Sequence, residues 1–293
     1  MFAAGDRPRL QLRRLVDRAR YAGSHGGLRQ EVYARLRASY RIAVVCGSLV
    51  LMALVAFAAG FSSTSRYRRV TRMTRLVQLY SRSMLRFLDI RCQIDAPEGQ
   101  NFDTHSGLLI IPNHISYLDV IVVNALFPAV FVTSREIEET PVLGQVTSGA
   151  GCAFVERRHK QSLHRDIDQL SSLLNQGINV ALFPEGTTSA GEQLLPFKKS
   201  LFEAAVRSRC QVVPVCIRYQ TIDGQTFDAS NRDTIAWYGS MQFFPHLWQL
   251  MMTKSVEVRL SVLGEVAFRG HRSRKRLADD ARAKIAEHLA TLT

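Results

Sequence analysis

Leu108-Leu109-Ile110-Ile111-Pro112-Asn113-His114-Ile115-Ser116-Tyr117-Leu118-Asp119 opens on an apolar run short enough for a buried strand and closes on the start of an apolar helix. Pro112, Asn113 and His114 make the turn between them. The same alternation recurs to the C-terminus. Strand-like runs lie at Val130–Thr133, Cys152–Val155, Asn179–Phe183, Val212–Tyr219 and Val256–Leu263. Helix-like stretches lie at Tyr117–Leu126, Ser162–Asn175, Lys199–Ser208 and Lys275–Leu292. Strands alternating with helices predict an α/β fold, a mixed but largely parallel sheet flanked by helices. Ligands of such sheets gather beyond the carboxyl ends of the strands, which is where His114 falls.

Upstream the character changes. Residues 1–91 hold 18 arginines, no lysine and four acids, a net of +14, while residues 92–293 hold 20 bases and 21 acids, a net of −1. The whole-chain charge of +13 over 293 residues would suit nucleic acid, but its confinement beside a hydrophobic segment points to a lipid surface instead, with no nucleic-acid partner. From Ile42 to Phe61 twenty residues run without a charge, about the 30 Å of a bilayer's hydrocarbon core. The segment lies too deep in the chain, and is followed by too many arginines, for a cleaved signal peptide. Arginines flank it on both sides, so the positive-inside rule sets no orientation, and a helix entering and leaving one leaflet reconciles the flanks.

An amphipathic helix is expected at about 70–90, with Leu76, Leu79, Tyr80, Met84, Phe87 and Leu88 on its apolar face and Gln78, Arg82, Arg86 and Asp89 opposite. Packing on lipid and packing on the soluble domain are both compatible with that pattern. The expected organisation is an Arg-rich membrane-attachment region over 1–91 and a catalytic domain over 92–293. Five cysteines with no CxxC pair fit a reducing compartment and buried thiols.

Chemistry concentrates at the strand ends. With His114 in the turn and Asp119 in the first helical turn, the carboxylate is placed to accept from one imidazole nitrogen, leaving the other as a general base. Taken alone, this spacing also suits a cap or a core pair. Ser116 is a helix cap rather than a nucleophile. After Asn179–Phe183 comes Pro184-Glu185-Gly186-Thr187-Thr188-Ser189, a turn whose backbone N–H groups and hydroxyls suit an anionic or hydroxylated headgroup, though Pro-Glu-Gly is also an ordinary turn. Arg157 and Arg158 follow Cys152–Val155 and suit phosphate, or simply solvent.

In order, Asn113-His114 with Asp119, then Gly151-Cys152-Ala153-Phe154-Val155-Glu156-Arg157, Phe183-Pro184-Glu185-Gly186-Thr187, and Val213-Pro214-Val215 resemble the four blocks of the glycerolipid acyltransferases, among them the bacterial 1-acylglycerol-3-phosphate acyltransferases. The resemblance implies that His114 deprotonates the free hydroxyl of a lysolipid and that Asp119 orients it. It also implies that Asn113, Arg157, Glu185, Gly186, Thr187 and Thr188 serve substrate binding. Acyl-CoA or acyl carrier protein would be the donor, with no cofactor, metal or covalent acyl-enzyme.

One departure stands out: Thr188 occupies the place where phosphatidate-forming members carry arginine, a feature that resembles the subgroup acting on lyso-ornithine lipid. Lys198 and Lys199 are candidate substitute cations. The expected function is acylation of a lysolipid of the 1-acyl-sn-glycerol-3-phosphate type at the cytoplasmic face of the inner membrane, with lyso-ornithine lipid as the alternative acceptor. A lipid esterase, for which Gly-x-Ser-x-Gly is missing, and a noncatalytic membrane adaptor are the rival classes.

Overall fold

The computed structural model describes residues 25–60, 65–99, 102, 105–139, 144, 147, 151–156, 160–266 and 273–291. Two helices come first, α1 (His25–Gly60) and α2 (Arg66–Phe87). Then follow β1 (Ile90–Asp95), β2 (Leu109–Pro112), α3 (Leu118–Leu126), β3 (Ala129–Ser134), the single turn α4 (Arg135–Glu138), β4 (Ala153–Val155), α5 (Lys160–Asn175) and β5 (Asn179–Ala181). A 3₁₀ turn (Ser200–Phe202) leads into α6 (Glu203–Ser208), β6 (Val212–Ile222) and β7 (Gln225–Thr226). After a second 3₁₀ turn (Arg232–Thr234), the chain ends with α7 (Phe243–Met252), β8 (Val256–Val262) and α8 (Arg274–Thr291).

The strands form one sheet in the order β1-β8-β6-β2-β5-β3-β4, with β7 folded back on β6. Every pair along this order is parallel except β6 with β8. The hairpin from β6 to β7 turns at Asp223 and Gly224, both at positive φ, the backbone that a two-residue Asp-Gly loop adopts. Strands buried on both faces read as unbroken apolar runs, and β2 is buried at all four positions. Its side chains alternate: Ile110 joins the core under α3 and α7, while Leu109 and Ile111 join the core under α5, α6 and α8.

The N-terminal helices depart from the sequence reading in three ways. First, α1 begins at His25, well before the expected hydrophobic segment, so arginines at 29–41 are helical. Second, Arg41 is not on a basic flank open to lipid. Its buried guanidinium donates to Leu88 O at 3.0 Å at the end of α2 and to Met251 O (3.4 Å), Thr253 O (2.6 Å) and Lys254 O (3.3 Å) at the end of α7. Arg37 donates to Met252 O at 2.9 Å. Two helix C-termini expose unpaired carbonyls carrying partial negative charge, and one side chain caps both. Third, two polar residues of α2 turn inward: Gln78 Nε2 donates to Leu126 O at 2.9 Å and Arg82 Nε to Ala125 O at 2.7 Å, while Met84 and Leu88 are buried and Arg86 is exposed as the periodicity predicts. Of the expected apolar face, Leu76 and Leu79 are exposed, where protein does not cover them. Strand β1 starts at Ile90, inside the expected helix, and α7 occupies a region where the periodicity predicts no helix.

Candidate active site

Asn113 and His114 extend β2 past its carboxyl end. The β2–β6 ladder stops at Pro112 opposite Val215, and the side chain of Asn113 replaces the next rung. Its Nδ2 donates to Ile217 O at 3.0 Å while its Oδ1 accepts from Ile217 N at 2.7 Å. Each end of this buried amide thereby bonds β6, so Asn113, expected among the substrate-binding residues, ties the turn to the neighbouring strand.

His114 follows, with its side chain 16 % exposed, and its Nδ1 lies 2.9 Å from Asp119 Oδ2. A carboxylate only accepts, so Nδ1 carries the proton and Nε2 is left with its lone pair. Asp119, wholly buried in the first turn of α3, is heavily supported. Its Oδ2 also accepts from Ile115 N (2.6 Å) and Ser116 N (2.8 Å), and its Oδ1 from Tyr219 Oη on β6 (2.7 Å). Four donors thus meet this buried carboxylate, where an unpaired one would be costly. Burial, reinforced by Asp119, raises the Tyr219 hydroxyl well above its ordinary range, so it stays a donor. Phe183, just past β5, stacks on the imidazole with ring centres 3.8 Å apart and planes 15° from parallel. Ser116 is fully buried, in keeping with a structural role.

The Pro184–Ser189 turn grips the His114 peptide from both sides. Glu185 Oε1 accepts His114 N at 2.7 Å, and its Oε2 accepts Leu195 N at 2.9 Å. Ser189 N donates to His114 O at 3.0 Å, and its Oγ to the same oxygen at 3.3 Å. The next carbonyl, Ile115 O, accepts Trp237 N at 3.0 Å. Glu185 is therefore a buried brace of the His114 turn; burial pushes its carboxyl up to about 7 despite the two N–H bonds. Gly186 sits at φ +70°, where a Cβ would meet the Lys198 ammonium at 2.6 Å. The space that glycine leaves is thus filled by that lysine's chain.

Thr187 is exposed and Thr188 half-buried, and their hydroxyls make no hydrogen bond among the described residues. Lys198 is exposed and similarly without an ion pair, whereas Lys199 pairs with Asp279 at 2.7 Å. Of the two candidate cations, Lys198 alone lies against the turn. Arg157 and Arg158 fall outside the described residues. Desolvation pushes the thiols of half-buried Cys92 and Cys152 and of buried Cys216 up to about 11, 12 and 12, against thiolate formation.

Sequence reasoning missed Tyr219, Ser189 and the stacking of Phe183. Tyr219 had one available signal: alternation along β6 puts it on the face of Val213, Val215 and Ile217, the side that α3 covers. Trp237 acts through its backbone N–H and Ser189 largely so, and such contacts leave no trace in a sequence.

The arrangement is a histidine oriented by a buried carboxylate, with no serine or cysteine hydrogen-bonded to its imidazole among the described residues. An acyltransferase family profile matches residues 94–218, which contain all of these groups except Tyr219 and Trp237. The 1-acyl-sn-glycerol-3-phosphate acyltransferase of Neisseria meningitidis is 31 % identical over 179 residues, 61 % of this chain and 67 % of that protein. The chain belongs to the glycerolipid acyltransferase family. The lyso-ornithine lipid O-acyltransferase of Rhizobium meliloti is 32 % identical over 183 residues, 60 % of this chain and 63 % of that protein. The crystal structure of the 1-acyl-sn-glycerophosphate acyltransferase of Thermotoga maritima shares the fold, with a TM-score of 0.64 over 90 % of this chain and 97 % of that one at 17 % identity. Within this acyltransferase, Glu185 and Ser189 hold the histidine turn, while the hydroxyls of Thr187 and Thr188 and the ammonium of Lys198 stay outside those contacts.

Proposed function

We propose that the chain transfers a fatty acyl group from a thioester, acyl-CoA or acyl carrier protein, to the free hydroxyl of a lysolipid at a membrane surface. The observation that carries this reading is the fixed tautomer of His114, with Nδ1 committed to Asp119 and Nε2 open. Nε2 removes the hydroxyl proton as the oxygen attacks the thioester carbonyl. Collapse of the tetrahedral intermediate breaks the carbon–sulfur bond, and the imidazolium returns the proton to the departing thiolate. Asp119 stabilises the imidazolium in between. The residues need no covalent acyl-enzyme.

The acceptor is anionic at its headgroup, with Lys198, Thr187 and Thr188 as its first contacts. Thr188 in place of a cation favours a singly charged carboxylate, as in lyso-ornithine lipid, over a phosphate; relatives of both names support weighing the two. The attachment is α1, whose most apolar window is only 11 % buried within the protein. Exposed Arg66, Arg68, Arg69, Arg72 and Arg75 lie on α2 beyond its far end, so both ends of α1 meet cations. A helix lying within the cytoplasmic leaflet of the inner membrane satisfies both. The test offers the purified chain labelled acyl-CoA and acyl carrier protein with lysophosphatidate and lyso-ornithine lipid. A diacyl product that His114→Ala fails to form supports the reading; full activity in His114→Ala, or release of free fatty acid, overturns it.

A further inference from the structure

Helix α7 (Phe243–Met252) has no charged residue, and its outer face is apolar where a surface helix ordinarily turns polar. His246, Leu250 and Met251 are buried, whereas Phe244 is 73 % exposed and Trp248, one turn on, is 37 % exposed. An aromatic stripe of this kind in water marks an interaction surface. Its neighbour identifies the partner. Arg37 and Arg41 bind the last carbonyls of α7 to α1, so the stripe continues onto the exposed Tyr33, Leu36 and Tyr40 of α1.

We infer that Phe244 and Trp248 seat in the lipid interface beside α1, giving the catalytic domain a second contact with the bilayer. Aromatic side chains at headgroup depth are the usual anchors of such surfaces. An acidic carrier protein would look for cations, and α7 offers none. The inference rests on the membrane reading of α1 given above.

The contact reaches the catalytic turn. His246 Nε2 lies 3.2 Å from Ala236 O and therefore carries its proton there; its Nδ1 accepts from Tyr117 Oη at 2.9 Å. Burial holds this imidazole below its ordinary range, in the neutral form that the pair requires. Tyr117 precedes α3, and Trp237, next to Ala236, donates its N–H to Ile115 O. Two short routes thus run from α7 to the residues flanking His114. A helix seated in lipid holds the turn bearing the base at a fixed depth, near the hydroxyl of a lysolipid whose chain stays in the leaflet.

The experiment uses the full chain and vesicles of phosphatidylcholine with phosphatidylglycerol, some carrying brominated chains. Trp248 is isolated by subtracting the emission of Trp248→Phe, which retains Trp237. The expected result is a blue shift of Trp248 on vesicles and bromine quenching strongest at shallow positions. In addition, Phe244→Ser with Trp248→Ser raises the vesicle dissociation constant about tenfold with the circular dichroism unchanged. If the protein sediments with vesicles while Trp248 emission is neither shifted nor quenched, α7 faces water and the inference fails with the attachment by α1 intact. If the chain does not sediment at all, the membrane reading fails and the inference with it. Serine variants that keep vesicle affinity but lose carrier-protein binding or self-association would assign the face to a protein and overturn the proposal.

Discussion

Replacing Asp119 by asparagine isolates the charge of the dyad from its geometry. Oδ2 accepts from His114 Nδ1, Ile115 N and Ser116 N, whereas Oδ1 accepts only from Tyr219 Oη. An asparagine carbonyl at the crowded position keeps the three N–H bonds, and its NH₂ then points at a hydroxyl that rotates to accept. Every bond survives, including the one that fixes the tautomer, and only the negative charge is lost. The imidazolium formed during proton transfer then has no counter-charge. Unit charges about 4 Å apart at an effective dielectric of about 20 interact by about 4 kcal/mol, which corresponds to roughly a thousandfold in kcat. The assay follows thiol release from acyl-CoA in mixed micelles at fixed pH, with thermal unfolding recorded on the same samples. Asp119→Ala, which also strips the bonds, should add a loss of stability of about 1–3 kcal/mol. An asparagine variant that unfolds like the wild type and retains activity within about tenfold of it would show that the carboxylate acts through position alone, refuting the electrostatic argument.

Three further outcomes are expected. Arg41→Ala leaves the carbonyls of two helix ends without their cation and should lower unfolding stability by about 1.5–3 kcal/mol in denaturant titrations, with Arg41→Lys recovering part of it. The Glu185 carboxyl, raised from 4.5 to about 7, is protonated in the fold where the unfolded chain is already ionised. Stability relative to Glu185→Gln should therefore be level below about pH 4.5, fall as pH rises to about 7 and level off above, a change of at most about 3 kcal/mol by urea titration at stepped pH. Lys198→Met should raise KM for anionic lysolipids about tenfold with kcat nearly unchanged, and an equal fall in kcat would instead place the ammonium at the reacting centre.

What was legible in the sequence was whatever repeats along one element. The strands from Leu109 onward read correctly because parallel strands covered on both faces are continuous apolar runs. The strand-end turn placed His114 and Asp119 because five positions on one helix could not have brought them together. Contacts between elements were not legible. Which surroundings cover α2 was not legible, because periodicity locates an apolar stripe but does not say whether protein or lipid covers it; Gln78 and Arg82 turn inward to reach the carbonyls at the end of α3, and Leu76 and Leu79 stay outside. Glu185 likewise read as a binding group because its carboxylate's targets, two backbone N–H groups, belong to other segments.

The arginines show the same limit more sharply. A net of +14 in the first 91 residues located the charge but not its work. Arg37, Arg41 and Arg82 are spent on helix-end carbonyls, and Arg35 and Arg91 pair with Glu31 and Asp89. Such pairings at the surface contribute little to stability, whereas a guanidinium shared by two helix ends fixes how α1 lies on the domain. Among the described residues, the exposed cations that remain are mainly Arg66, Arg68, Arg69, Arg72 and Arg75, gathered on the first three turns of α2. The N-terminal charge therefore has two separable tasks, and neutralising each set should tell them apart: loss of the α2 set weakens attachment to anionic vesicles in proportion to salt, while loss of Arg41 uncouples α1 from the domain at any ionic strength.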